Sequence, residues 1–443
     1  MGARPTAGRV RDPSTITGAR PSAAGGERAA PQAAGAERPP PPAAGGERAG
    51  RPAPGAERAA PSAAGALDMS GLLVGAAGMF ATMYSTQAIL PRLGEDFEVS
   101  PSQTGLTISV VVLAVAAAGW AWGLASDRYG RKGTLTAASA LLAVPTLLVA
   151  LAPSFPLFLV FRALQGLCMP GLLIVGVPYV AEVFTPGLGG RAMGLYVAGL
   201  FAGGVLGRVG VGLVTAAVGW RLALGLLVVL PVAGALVMRR TLPEAPLPTR
   251  SERARSAVLR ELRNPRVLRP GLAASALFFT FVSVFSYATF RLEEPPFDYG
   301  TGAVSLIFLL WALGVAGPPA GRLADRLGWR RVALLGLCSS AAGVLLSLPA
   351  LIVTLLPALT LVITAMFVGV TAAQLGVSEA GEVDRGVASA VYFTLYYVAG
   401  AAAGFLPGLA WQRWEWPGVA ACAGLALAIG FAALLLPGRI RKP

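Results

Sequence analysis

Apolar stretches roughly 20 residues long follow one another from Leu72 almost to the end of the chain, each about the length a helix needs to cross the hydrocarbon of a bilayer. No water reaches that hydrocarbon, so a crossing segment must satisfy its own backbone, and runs of this length do so only as helices. Twelve are counted, with cores at 70–91, 103–124, 134–152, 156–179, 191–215, 219–238, 269–290, 302–321, 332–350, 352–374, 387–409 and 417–437. The expected fold class is an all-α membrane protein with twelve transmembrane helices. Composition agrees, since 55% of the residues are hydrophobic and 13% charged, far from the balance of a soluble domain.

The segments between and before these runs set the organisation. Residues 1–66 are a Pro, Ala, Gly and Arg tract with an approximate ten-residue repeat (PSAAGGERAA, PQAAGAERPP, PPAAGGERAG). They carry almost no side chain able to build a core, so a disordered, solvated tail is expected. The second helix opens on Ser100, Pro101, Ser102 and Gln103, a capping-box pattern with proline at the first helical position. Between the sixth and seventh runs, Ser251 to Asn264 alternates arginine with apolar residues at helical spacing, as an amphipathic surface helix does. The expected domains are therefore a tail (1–66), a first six-helix half (67–238), a cytoplasmic linker (239–268) and a second six-helix half (269–443).

Charge gives the orientation. The formal net charge of +14 would suggest nucleic acid in a soluble protein, but here Arg and Lys number 21 in the loops after even-numbered helices plus the C-terminus, against four (Arg92, Arg221, Arg291, Arg413) on the other side. That asymmetry is the positive-inside pattern, so both termini are expected in the cytoplasm, with the lipid bilayer and no nucleic acid as partner. Trp411, Trp414 and Trp416 cluster at the outer end of the eleventh helix, as an interfacial anchor would. The chain has no histidine, and Cys168, Cys338 and Cys422 lie inside apolar runs without metal-ligand spacing. Histidine relays and histidine metal sites are excluded, and the cysteines read as packing residues. No phosphate-binding loop or nucleophile constellation occurs, so no enzyme activity, metal or cofactor is expected.

One charged turn occurs twice. Gly123 to Gly133 reads GLASDRYGRKG, and Gly321 to Arg331 reads GRLADRLGWRR 198 positions later. Gly123, Asp127, Arg128 and Gly130 thus align with Gly321, Asp325, Arg326 and Gly328, the mark of a duplicated architecture. Twelve helices in two halves with these turns resemble the major facilitator superfamily of secondary transporters. FRALQG at 161–166 resembles the helix-4 pattern of its proton-linked members. RAMGLYVAGLFAGGVLGRVGVGL resembles the antiporter motif of helix 5, with Arg208 where that motif has proline. Together with GWRLALG and FSYATFRLEEPPF, these stretches are similar to bacterial inner-membrane arabinose-type or drug-efflux permeases. The resemblance implies a monomeric transporter in the inner membrane that works by alternating access. Its leading activity is proton-coupled efflux of a small organic molecule, with the proton as coupling ion. The alternatives are uptake of a small, anionic metabolite by symport or uniport, and a non-transporting membrane sensor or scaffold.

Candidate functional residues follow from charge and helical spacing. Arg162 and Arg208 lie inside helix cores, where a charge costs at least about 2.5–3.5 kcal/mol, and no Asp or Glu lies inside a core to pair with them. Either they make the central cavity electropositive for an anionic substrate, or Arg162 is satisfied by Gln87 and backbone carbonyls of the first helix and serves coupling. Tyr84 with Gln87, Ser283 with Tyr287, and Tyr392 with Tyr396 share helix faces; the resemblance places their helices around the cavity, and adds Gln165 from the helix-4 pattern. A cytoplasmic latch is expected from Asp127, reaching the start of the eleventh helix, and from Arg131 paired with Glu182. These contacts are expected only while the cytoplasmic side is closed. The mirror set is Asp325, Arg326, Arg330 and Arg331, with Glu379 or Glu382. Arg291, Glu293 and Glu294 read as solvated rim residues. Small-residue runs at Gly199, Gly203, Gly207 and at Gly400, Gly404 read as packing seams first and gating surfaces second.

Overall fold

The computed structural model describes residues 69–183, 189–245, 261–380 and 385–435. The tail, most of the Ser251 to Asn264 stretch and Glu382 lie outside them. The described residues are helical throughout apart from short joints. The spans are α1 (Ser70–Phe97), α2 (Pro101–Tyr129), α3 (Arg131–Ala150), α4 (Phe155–Val183), α5 (Gly190–Val218), α6 (Trp220–Thr241), α7 (Pro265–Glu293), α9 (Trp329–Leu346) and α10 (Ile352–Glu379). Between α7 and α9, Thr301–Gly314 and Pro319–Leu327 form α8, a span bent by 52°. The last helical stretch, Val387–Leu435, has 49 residues. At 1.5 Å per residue it would be about twice the length one crossing needs. Glu415, at φ 48° and ψ −135°, breaks it into α11 (387–414) and α12 (416–435). The arrangement is consistent with twelve crossings.

Local chemistry explains the joints. The Ser100 hydroxyl accepts from the Gln103 amide N–H while the Gln103 side chain accepts from the Ser100 N–H, so the capping box at the start of α2 is complete. Gly130 and Gly328, at φ 81° and 85°, sit at the duplicated turns in a region that side chains avoid. The duplication is thus visible in the backbone as well as in the letters.

Two seams of small residues play different parts. Gly199, Gly203 and Gly207 of α5 lie against the backbone of Leu73, Ala77 and Ala81 in α1, and a Cβ on Gly203 would stand 2.1 Å from the Ala77 carbonyl oxygen. This seam lies inside the first half. The other lies between the halves: a Cβ on Gly105 of α2 would stand 1.9 Å from the Gly404 carbonyl oxygen of α11. Polar contacts extend it, with Ser109 Oγ donating to the Ala401 carbonyl (2.6 Å), Gln412 Nε2 to Ser102 Oγ (2.8 Å), and Arg92 Nε to Thr301 Oγ1 (2.9 Å).

The between-half seam lies at the ends of the helices remote from the duplicated turns. At the turns themselves the described residues pack loosely: nothing lies within 4 Å of a Cβ built on Gly123, Gly130, Gly321 or Gly328. Asp127, Arg128, Asp325 and Arg326 are exposed. Among the described residues, the hydrogen bonds that join the two halves lie on the remote face or at the level of Gln87.

Three expectations about the remote face are corrected. Arg291 is 7% exposed and donates to the carbonyls of Ser347, Leu348 and Pro349 in the α9–α10 joint, with its guanidinium 4.6 Å from the centre of the Trp416 ring. It is a buried staple of the second half, because a planar donor fork closes a loop of carbonyls that would otherwise be orphaned. Glu293 has one oxygen buried without a partner, whereas Glu294 is exposed, with burial and the Glu415 carboxylate pushing its carboxyl above the ordinary range. Trp411 and Trp416 are buried, which leaves Trp414 alone at the surface. Gly203→Ala should destabilise the folded protein by about 1–3 kcal/mol through overpacking, while Gly123→Ala, in open space, should not. Thermal melting of the purified variants checks this; equal stability would contradict the seam.

Candidate functional site

The first helix does not run through. Its α-helix stops at Met83, Tyr84 to Thr86 form a turn, Gln87–Ile89 is a single 3-10 turn, and the helix resumes at Leu90. A break in a membrane helix strands carbonyls that nothing in lipid can satisfy. Arg162 of α4 reaches the Met83 carbonyl and adds to the Thr82 carbonyl, which also accepts from Ser85 Oγ (3.0 Å). Arg162 Nη1 donates to the Thr82 carbonyl (2.9 Å) and Gln165 Oε1 (2.7 Å), its Nη2 to the Met83 carbonyl (2.8 Å), and its Nε to the Thr107 carbonyl (3.1 Å). Gln165 in turn donates to Thr146 Oγ1 (3.1 Å), which fixes the amide. Arg162 is fully buried, so this network belongs to the interior of the first half. The expected carbonyl partners in the first helix are present; Gln87 is not among them.

Gln87 serves the other buried arginine. Its Oε1 accepts from Arg208 Nε (2.7 Å), and its Nε2 donates across the two halves to Ser286 Oγ of α7 (3.0 Å). Arg208 lies in a π-turn, Leu206–Gly210, within α5. Such turns are rare and cluster at functional sites, because they re-aim a side chain without ending the helix. The guanidinium sits 4.3 Å from the Tyr84 ring centre and 4.4 Å from that of Trp311, with Phe308 at 5.6 Å. Nη1 donates to the Gly204 carbonyl (2.8 Å), and Nη2 is buried with no hydrogen-bond partner. Trp311 Nε1 is also buried and unpartnered.

Trp311 is the hub of a wider aromatic wall. Its ring centre lies 5.1 Å from Phe367 of α10, 5.4 Å from Phe281 of α7 and 6.0 Å from Phe201 of α5. A Cβ on Gly204 would stand 2.5 Å from Trp311 Nε1, so the absence of a side chain there admits the indole. Three elements supply the arginine and its two nearest rings, and all three are irregular: the break in α1, the π-turn in α5, and the 3-10 stretch Leu306–Ala316 in α8. Irregular backbone at membrane depth persists only where protein or a cavity satisfies it.

Among the other expected cavity residues, Tyr396 stacks on Phe278 at 3.9 Å and lies within electrostatic reach of Tyr84, as does Tyr397. Ser283 is buried with an unpartnered hydroxyl. Tyr287 and Tyr392 make further contacts, and Tyr392 stacks on Tyr396 at 6.1 Å. The Tyr287 hydroxyl donates to the Gly404 carbonyl (2.7 Å) in the sealed seam, since its helix face points at α11. Tyr392 packs in a core with Val267, Ala373 and Val377 and donates to the Val370 carbonyl at 3.4 Å.

The latch is also redrawn. Arg131 and Glu182 form a two-pronged ion pair, as expected, and since both belong to the first half the contact does not itself join the halves. Asp127 is exposed, with no hydrogen bond or ion pair among the described residues. Arg330 donates to the Leu434 carbonyl of α12 instead of to Glu379. Residues missed from the sequence are Trp311, Phe308 and Tyr397; an indole in the middle of an otherwise aliphatic run was the available signal for the first.

A bundle of membrane helices in two halves that meet around a buried polar site defines a multi-pass membrane protein. The profile of the Major Facilitator Superfamily matches residues 72–404. The chain belongs to that superfamily. It is 30% identical over 382 residues to the inner membrane transport protein YnfM of Escherichia coli, covering 84% of this chain and 90% of that protein. It is 27% identical over 351 residues to the uncharacterized MFS-type transporter YybF of Bacillus subtilis, covering 78% and 87%. In fold it is similar to a bacterial homolog of the human lysosomal transporter Spinster in an inward-facing, occupied conformation, with a TM-score of 0.69, 15% identity, and 82% and 96% of the two chains covered.

Arg162→Lys should lower the unfolding free energy by about 3 kcal/mol or more, because one ammonium cannot serve carbonyls on two helices and the buried partners lose their donors. The loss should exceed that of Arg208→Lys, which leaves fewer acceptors orphaned. Melting of both variants in detergent checks the order, and a stable Arg162→Lys would contradict it.

Proposed function

We propose that the protein is a secondary active transporter that moves a small organic molecule by alternating access, its two halves rocking about the Arg208 site. The observation that carries this reading is the asymmetry of the between-half seam. Contacts at Gly105, Ser109, Gly404 and Gln412 join the halves at the face remote from the duplicated turns. Arginine distribution supports placing the turns and both termini in the cytoplasm, so that the seam closes the outer face. The sealed seam is built of glycines and single hydrogen bonds, each contributing about 0.5–1.5 kcal/mol net, so a ligand that favours the other state can shift the balance.

Efflux driven by proton exchange is the leading direction, supported by the likeness of α5 to the antiporter motif. Uptake by symport or uniport is the second reading, favoured by one observation: no Asp or Glu lies within a helix core to bind a proton at membrane depth. The latch acts through Asp127 and Asp325, exposed here and free to meet the opposite half when the turn-bearing face closes. In proteoliposomes with an imposed pH gradient and a panel of anionic, neutral and cationic compounds, at least one compound should move. For the efflux reading, its movement carries protons in the opposite sense. Movement with protons, or without them, favours uptake by symport or uniport; no movement across the panel would overturn the transporter reading.

A further inference from the structure

Arg208 carries a full positive charge with no exposed surface and no carboxylate partner among the described residues. A guanidinium has five N–H bonds. Nε donates to Gln87 and Nη1 to Gly204, and Nη2 is left with none. The rings of Tyr84 and Trp311 offer π faces to the cation, but a π face takes the flat side of a guanidinium and leaves its N–H edge unsatisfied. Beside it, Trp311 Nε1 is another buried donor without an acceptor. The two unpaired groups are therefore both donors, one of them charged, on adjacent side chains from opposite halves of the molecule. What completes such a pair is an acceptor carrying one negative charge. A cation is excluded by the guanidinium, and a neutral molecule leaves the charge uncompensated.

The walls fix the rest of the ligand. Around the donors stand Phe201, Phe281, Phe308 and Phe367, with Tyr84 at the break in α1. These flat, apolar surfaces suit a planar body. From these contacts we infer that the Arg208 site binds an aromatic monocarboxylate, its carboxylate accepting from Arg208 Nη2 and Trp311 Nε1 and its ring stacking among the aromatic side chains. This rests on the transporter reading for its purpose, but not for its chemistry. Because the two donors belong to different halves, a carboxylate bridging them draws α5 and α8 together, so occupancy favours states in which the halves meet at this level. Gln87 reinforces the coupling, since it links Arg208 to Ser286 of α7. The site is shut in this structure, and a ligand enters as the Tyr84 or Trp311 ring moves off the guanidinium.

Binding is measured directly by the shift in melting temperature and by tryptophan fluorescence of the full-length protein. The probes are benzoate, 4-hydroxybenzoate and indole-3-acetate, each compared with its own amide. At least one acid should bind saturably and stabilise the protein, with its amide weaker by tenfold or more. Trp311→Phe, which keeps a ring and removes the N–H, should weaken that acid about tenfold, by the loss of one hydrogen bond to a charged group. Arg208→Gln should abolish its binding. Should Arg208→Gln fail to fold, the acid–amide contrast and Trp311→Phe decide the matter on folded protein. Binding of no acid, equal binding of an acid and its amide, or full affinity in Trp311→Phe would overturn the inference. The two readings fail separately in proteoliposomes. An acid that binds but never crosses removes the transport reading alone. Flux of a neutral or cationic compound with no acid bound removes the carboxylate site alone.

Discussion

The site depends on how Arg162 answers the break in the first helix. Stopping an α-helix at Met83 in the middle of a bilayer orphans carbonyls, and each would cost about 1–3 kcal/mol if left unpaired. One guanidinium, reaching from α4, supplies donors for Thr82, Met83 and Thr107 together. Lysine could not, because its donors radiate from one atom, whereas the arginine fork spans two helices. The cost of burying that charge is offset by using its hydrogen-bonding capacity inside a single rigid body. The break then turns Tyr84 and Gln87 toward the junction of the halves, where they meet the second buried arginine.

The two arginines thus divide the labour that charged residues have in membranes. Arg162 is saturated by its own half and holds backbone geometry. Arg208 is held by one amide, one carbonyl and two rings, and keeps unused donors where the halves meet. The same contrast runs through the glycines. The α1–α5 seam is a joint within one half, while the α2–α11 seam, built from the same residue type, lies between the halves. The Arg131–Glu182 pair belongs with the joints within one half.

Much of the fold was legible because lipid allows so few solutions. Run length gave the helices, and Gly130 with Gly328 gave the duplication; Ser100 to Gln103 even marked a helix start. The site was legible in its types but not in its pairings. Both buried arginines stood out as charges in apolar runs, yet Gln87, three residues from Tyr84 on an uninterrupted helix, looked like the partner of the wrong one. The local signal for the break is Pro91, in the first turn of the resumed helix, which has no N–H to donate to the Gln87 carbonyl. The π-turn at Arg208 and the 3-10 stretch around Trp311 are set by tertiary packing, which helical periodicity does not encode. Arg291 misled for the opposite reason: beside two glutamates and two prolines it reads as a surface loop, while the carbonyls that bury it come from a joint more than fifty residues away.

The central claim is that one seam holds this state closed on the remote face and that the two faces open in alternation. Two pairs of spin labels test it, one at the turns (Arg128→Cys with Arg326→Cys) and one on the remote face (Glu98→Cys with Asp298→Cys), with the native cysteines replaced. Inter-label distances in bilayers are compared before and after adding Gly105→Leu, whose side chain cannot fit against the Gly404 carbonyl. The account predicts that the remote pair lengthens while the turn-side pair shortens. Both distances unchanged, or both longer together, would contradict it.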